Sequence, residues 1–426
     1  MRPYLRVAAI FVIATAAVAV ASGWLSFPDL PHGFEPMTSN DFTAAEIARN
    51  ARYRADLGRW PMVELLTPVM AALLIAVTPL RRRIVRRAQR VTWLSVSGHA
   101  GLVVSAVIVC AKVSALPAAW AGEMVDRRWS LSTQSTVSWL REQLLSIAMS
   151  GILALLLAGL AVAAIRRWPR TWALRLSWIA AAAVLVMTFF PFLRVLPPER
   201  TTALPDTPLA TAMESLTDRA GLAGTRLRVL PVAADSTEIN AYAAGSGPMA
   251  RVVVYDTLLH DVPQSHVLSV LAHELGHVKY RDSLVLTVAS STCAGLAVLG
   301  LGLLWRRRRP GAVRLPFRLT ELPPVVAAAM VMMLVMLPAS NALSRTVEAR
   351  ADVYALELTD NPKAFARVMR TIAVQGQSYL GDEKPWGWAR SHPTIAWRLA
   401  LARAWARDHG IVLPPTSADV RPQGTR

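Results

Sequence analysis

Seven separate apolar stretches, each long enough to cross a bilayer as a helix, constrain this chain more than any other feature. They cover residues 6–25, 61–80, 94–116, 146–165, 173–196, 284–305 and 322–342. A hydrocarbon core needs about twenty such residues in helical form. With 54% hydrophobic and 17% charged residues, the chain of 426 residues is too apolar for a water-soluble enzyme of its size. The expected fold is mainly α, a multi-pass membrane helical bundle of about seven spans.

The net charge of +18 would point to nucleic acid if it lay on a soluble domain. Here the basic residues fall in short runs between apolar stretches and read as membrane-flanking anchors, so no nucleic-acid partner is expected. Cys110 and Cys293 both lie inside apolar stretches, which excludes a disulfide framework and a thiolate metal site. The start, Met1–Arg6 followed by an apolar run to Trp24, could also be a cleaved signal, with small residues at Ala19–Ser22. The spans that follow favour an uncleaved first helix. Two stretches carry the ionisable side chains Glu64, and His99 with Lys112, which are costly in lipid and are expected to face a bundle interior or a wet cavity. Glu64 also suits snorkelling from a span end.

The polar residues concentrate late in the chain. An expected membrane region 1–196 precedes a catalytic segment 197–283, then two spans within 284–342, a helical continuation 343–413 and a disordered tail 414–426. Within the catalytic segment Leu209–Ala220 reads as an amphipathic helix, and Leu227–Val232 and Val252–Tyr255 as short strands around the turn-rich Ala243–Pro248. Helices are expected over Ser344–Leu358, Asn361–Ala373 and Ile395–Ala406.

His273-Glu274-Leu275-Gly276-His277 matches H-E-x-x-H, preceded by the apolar run Val267–Ala272 that supplies a helix. Positions i and i+4 stack on one helix face, so both imidazoles can reach one Zn²⁺, with Glu274 beside them toward a metal-bound water. Zinc lowers the pKa of that water toward about 7, and a neighbouring carboxylate can take its proton and return it to the leaving amine. A surface helix that happens to carry two histidines is the bland alternative. A catalytic zinc also needs a third protein ligand and an open position. Asn341, Arg345, Glu348 and Asp352 recur at i, i+4, i+7 and i+11 and form one helix stripe. Taken alone that stripe reads as a solvated face with ion pairs. Beside the first motif it makes Glu348 the candidate ligand, with Asp352 accepting a hydrogen bond from one ligand imidazole and Arg345 in the surrounding layer. The expected cofactor is one Zn²⁺ per chain, in a small α+β zincin-like catalytic domain.

These residues, together with Asn240-Ala241-Tyr242, Val254–Leu259, Leu131-Ser132-Thr133-Gln134 with Trp139, Ser344-Arg345, and Ser391-His392-Pro393 with Arg398, resemble the integral-membrane type I CAAX prenyl endopeptidase family over nearly the whole chain. The resemblance implies seven spans around a large water-filled chamber and cleavage of membrane-associated or lipid-modified proteins. It implies Glu348 as third ligand, Asn240 and Ala241 on an edge-strand segment that holds substrate backbone, and His392 and Arg398 as catalytic groups supporting the oxyanion or substrate. Taken without it, His392 reads as an ordinary surface histidine and Asn240 as a turn residue.

Arg2, Arg6, Arg81–Arg90, Arg166–Arg170 and Arg306–Arg318 fall on one side of a seven-span chain. The positive-inside rule makes that side cytoplasmic and the catalytic portion extracytoplasmic, whereas the family resemblance implies a cytosolic catalytic domain. The arginine- and alanine-rich composition points to a bacterial cell membrane. Two other readings stay open: an HtpX-like quality-control protease, which shares the motif and downstream glutamate on fewer spans, and a non-catalytic metal-binding membrane sensor.

Overall fold

The computed structural model describes residues 2–25, 31, 41–189, 201–234, 236–308, 318–380 and 387–416. Its first helix, α1 (Arg2–Ala21), is followed by α2 (Ala44–Leu57), α3 (Trp60–Val77), α4 (Leu80–Gln89), α5 (Val96–Arg128), α6 (Thr136–Arg167) and α7 (Trp172–Phe189). The portion read from the sequence as catalytic contributes β1 (Thr202–Ala203), α8 (Pro208–Arg219), β2 (Arg226–Leu230), β3 (Ala241–Ala244), β4 (Arg251–Tyr255), α9 (Asp256–Asp261) and α10 (Gln264–Lys279). Then come α11 (Asp282–Arg308), α12 (Leu322–Thr359), α13 (Pro362–Gln375) and α14 (Ile395–Asp408).

Six helical segments among the described residues are long and apolar enough to cross a membrane: Pro3–Ala21, Ala44–Val77, Val96–Arg128, Thr136–Arg167, Asp282–Leu304 and Leu319–Thr359. The remaining expected span, 173–196, corresponds to α7, whose apolar part Trp172–Val186 is shorter; residues 190–196 lie outside the described residues, as do 417–426 of the expected disordered tail. The chain is thus an integral multi-pass membrane protein of mainly helical fold.

Local signals explain where several helices begin. The Thr43 and Glu46 side chains form a reciprocal capping box at α2, and Ser95, Ser135, Thr207 and Thr394 each accept from a backbone N–H at the start of a helix. In the bundle α5 and α6 cross closely because Gly101 has no side chain; a Cβ there would lie 2.4 Å from the Leu155 carbonyl oxygen. α1 is packed as an integral member: Phe11 meets Trp178 at 4.6 Å between ring centroids, and Thr15 hydrogen-bonds Thr292 of α11 at 2.6 Å. His99 donates from Nε2 to the Val91 carbonyl at 3.1 Å and Lys112 donates to Ser146 at 3.0 Å, whereas Glu64 is exposed near the start of α3.

The sheet has strand order β1-β2-β4-β3, with β2 and β4 parallel and the outer pairs antiparallel. β4 is its buried centre, Val252, Val253 and Val254 being almost fully enclosed. β3 lies at an edge, in register with β4 through Ala241 and Val254. One hydrophobic core joins the sheet, α8, α10, α13 and α14, with Met213, Val252, Leu271, Leu275, Phe365 and Leu399 at its centre. Phe42 belongs to the same core, and α2 is tied to it by Asn50 donating to the Ser378 carbonyl and Arg54 to the Gln377 carbonyl. α2, inside the region 1–196 read as membrane, therefore rests on the catalytic portion. α10 is buried on nearly all sides from His266 to Gly276, as expected for a helix threaded through a core.

Candidate metal centre

α10 presents His273 and His277 one turn apart, and α12 passes close beside it. Gly276, inside the H-E-x-x-H segment, makes that approach possible: a Cβ there would stand 3.2 Å from the Ala351 Cα of α12. The crossing brings Glu348 against the two imidazoles. His273 Nε2 is 3.2 Å from His277 Nε2 and 3.3 Å from Glu348 Oε2, and His277 Nε2 is 3.7 Å from Glu348 Oε1. One donor atom from each residue falls within 4.8 Å of the others.

The outer partners fix which ring nitrogen faces inward. His273 donates from Nδ1 to Asp352 Oδ1 at 2.9 Å, and His277 donates from Nδ1 to Asp282 Oδ2 at 2.8 Å. Each imidazole therefore turns its Nε2 lone pair toward the common centre. Two lone pairs and a carboxylate converging at these distances repel one another unless a cation lies among them, so the donor set fits a metal ion. The charge balance says the same: burial alone would disfavour a charged His273, yet Asp352 and Glu348 outweigh it and hold its pKa up to about 10, which marks a place where positive charge is favoured.

Glu274 is buried beside this centre. Burial raises its carboxyl above the usual range, partly offset by the two imidazoles and by a hydrogen bond from the Ala243 backbone N–H. That hydrogen bond sets the edge strand β3 next to the general-base candidate. Asn240 precedes β3; its Oδ1 accepts from the Ala241 N–H at 2.8 Å and its Nδ2 donates to Glu238 at 2.9 Å. Ala241 itself is buried.

The stripe on α12 divides into two jobs. Glu348 and Asp352 face the imidazoles, while Asn341 donates to the Trp388 carbonyl at 3.0 Å and Arg345 to the carbonyls of Gly387 and Arg390 at 3.2 and 2.8 Å. The latter two thus fasten the turn that leads to His392, whose Nδ1 reaches Glu348 Oε2 at 2.8 Å while its side chain stays 61% exposed. Arg398 is buried and its guanidinium grips both oxygens of Asp352; burial alone would lower its pKa, and the Asp352 carboxylate raises it instead.

Asp282 is the residue of this site that motif reasoning passes over. α10 ends at Lys279, Arg281 adopts a left-handed φ of 53°, and the reversal returns Asp282, the first residue of α11, to His277. Its sequence signal is an aspartate five residues after the second histidine.

Comparison with known proteins agrees with this geometry. Residues 203–406 match the model of Peptidase family M48. The chain is 27% identical over 296 residues to the uncharacterised metalloprotease YhfN of Bacillus subtilis, covering 67% of this chain and 69% of that protein. It is 34% identical over 203 residues to a protease HtpX homologue of Acidiphilium cryptum, covering 46% of this chain and 63% of the relative. Its fold is shared with the crystal structure of S. mikatae Ste24p at a TM-score of 0.73 and 18% identity, over 94% of this chain and 98% of that one. The chain is thus a membrane-embedded metalloendopeptidase, with residues 203–406 matching the model of Peptidase family M48.

Proposed function

We propose that the chain is a zinc endopeptidase that binds an extended segment of a membrane-associated or partly unfolded protein along β3 and cuts it beside His273, His277 and Glu348. The observation that carries this reading is the convergence of two inward Nε2 atoms and a carboxylate, with Glu274 and the edge strand β3 alongside. Two histidines and one glutamate are the donor set of an open catalytic zinc site. When bound, zinc polarises the scissile carbonyl and lowers the pKa of a water toward about 7.

Glu274 takes the proton of the attacking water and delivers it to the leaving amine; its tendency to hold a proton suits both steps. Asp352 and Asp282 keep the two rings in the metal-binding tautomer. Substrate adds as a further strand along β3, which lies at an edge of the sheet, with Asn240 and Ala241 shaping its entry. His392, exposed and beside Glu348, is placed to contact substrate. The catalytic unit is formed by 197–283 and 343–413, with Phe42 and α2 packed on it, and the membrane unit by the remainder of 1–196 and by 284–342.

Removing metal from the purified protein with a chelator should abolish peptide cleavage, and zinc should restore it. In the restored enzyme Asn240→Ala should raise KM several-fold with little change in zinc content. Cleavage that survives full metal removal would sink the zinc reading, and unaltered KM and kcat in Asn240→Ala would remove the substrate role at that residue.

The similarity to HtpX homologues favours a quality-control role as second reading, while the six long spans and the Ste24p-like fold favour the larger-chambered architecture. For orientation, Tyr4, Ile165, Trp172 and Leu299 pack together at one end of the bundle, the end that carries Arg2, Arg6 and Arg166–Arg170, and Ala19, Trp24, Val285 and Val347 at the other, catalytic end. The arginine-rich end should be cytoplasmic, in a bacterial cell membrane. A reporter active only outside the cytoplasm, fused after residue 410, should be active, and the same reporter fused near residue 90 should be silent. The reverse pattern would invert the topology.

A further inference from the structure

Arg350, on α12, is the largest of the fully buried side chains among the described residues, 1% exposed. A guanidinium in that position needs a reason, because an enclosed charge is costly unless matched. It donates to the Trp24 carbonyl at 2.6 Å and to Asp282 Oδ1, and its guanidinium lies over the Tyr280 ring at 4.1 Å. Trp24, three residues beyond the end of α1, donates its indole N–H to the same Asp282 Oδ1 at 2.9 Å. The other oxygen of Asp282 holds His277.

Asp282 therefore has no freedom to rotate: one oxygen is clamped by two donors from α12 and from the end of α1, and the other receives the imidazole proton. A carboxylate serving only the positive end of the α11 dipole would need neither donor. Gly23, with φ 66°, turns the chain so that both the Trp24 carbonyl and its indole reach inward.

We infer that Trp24, Arg350 and Asp282 form a positioning device that sets the orientation of His277, so that the contacts Trp24 makes just beyond the end of the first membrane helix govern how tightly the metal is held. This rests on the reading that His273, His277 and Glu348 are the ligands. The residues concerned are positioning residues, since none of them touches the metal position directly. Removing an outer partner of a ligand histidine commonly weakens metal affinity by about 10–100-fold.

The test uses the full chain in detergent, with zinc affinity measured by competition against a chromophoric chelator and thermal unfolding measured on the metal-free protein. Asp282→Asn should weaken zinc affinity by about 10–100-fold, and Trp24→Phe, which keeps a ring over Arg350 and removes only the indole donor, by about tenfold. In both, the visible spectrum of the cobalt-substituted protein should shift. Thr15→Val, which removes a hydrogen bond of α1 remote from Asp282, should leave affinity and spectrum unchanged. Trp24→Phe keeps the test decisive if Asp282→Asn, which strands Arg350, does not fold. Unchanged zinc affinity and an unchanged cobalt spectrum in Trp24→Phe, with only the unfolding temperature lowered, would overturn the inference, as would an equal loss in Thr15→Val. His277→Ala separates the two levels: if it too binds zinc normally, the ligand assignment itself fails, whereas if it alone loses zinc, only the coupling to Trp24 fails.

Discussion

Replacing Glu274 by glutamine should abolish most peptide hydrolysis while leaving the metal in place. Glutamine preserves the size of the side chain and can still accept the Ala243 N–H that the carboxylate accepts, so β3 should keep its position. What it cannot do is take a proton. A positioned acid–base group contributes about 10²–10⁴-fold, and here the same group is asked to serve both the attack and the departure of the amine. The loss should therefore appear in kcat, with KM little changed and zinc content equal to the unmodified protein. Glu274 makes none of the short contacts among His273, His277 and Glu348, which is why affinity should hold. A glutamine variant with undiminished turnover would show that another group activates the water, and a variant that lost zinc would show that Glu274 is a ligand.

The parts of this molecule that could be read from the chain are those governed by short-range periodicity. Two histidines at i and i+4 share a helix face whatever the rest of the fold does, and Glu348 and Asp352 repeat the same rule on α12. Apolar length likewise announces the spans. It gives their apolar portions and not their ends: α5 runs over 33 residues, roughly 50 Å at 1.5 Å per residue, well beyond the about 30 Å of a hydrocarbon core. Its far end, with Tyr53 hydrogen-bonded to Asp126 at 2.8 Å, belongs to the polar surroundings of the catalytic portion.

What stayed hidden depends on contacts between residues far apart in the chain. β3, Ala-Tyr-Ala-Ala, has none of the branched residues that mark a strand, and only the family resemblance points to an edge segment at Asn240 and Ala241; it pairs because β4 offers a buried valine-rich partner in register. β1, two residues long, has no pattern to detect. Asp282 becomes a partner of His277 only because Arg281 reverses the chain, and the association of Trp24 with Arg350 spans 326 positions. Arg345 sits on the expected stripe, yet its partners are carbonyls of the turn at 387–390, which periodicity on one helix cannot supply.

Arg398 carries one such contact beside the role that its family likeness implies. Its likeness to a family residue near the substrate implies catalysis, whereas its guanidinium is occupied by Asp352, the carboxylate that holds His273. Arg398→Met should therefore act first on the metal and the fold. Asp352 is fully buried, and stranding such a charge costs about 3–5 kcal/mol, which should appear as a marked drop in the unfolding temperature of the metal-free protein. The positive charge of Arg398 also restrains protonation of His273; without it the ring holds its second proton more firmly, and a proton competes with zinc for the same nitrogen. Zinc affinity should consequently fall by about 10–100-fold, more steeply as the pH is lowered and less as it is raised. Pairing the change with Asp352→Asn removes the stranded charge and should restore part of the stability but not the affinity. If Arg398→Met instead kept its zinc and its unfolding temperature and lost only kcat, the guanidinium would be acting on substrate, and the buried pair with Asp352 would open during turnover.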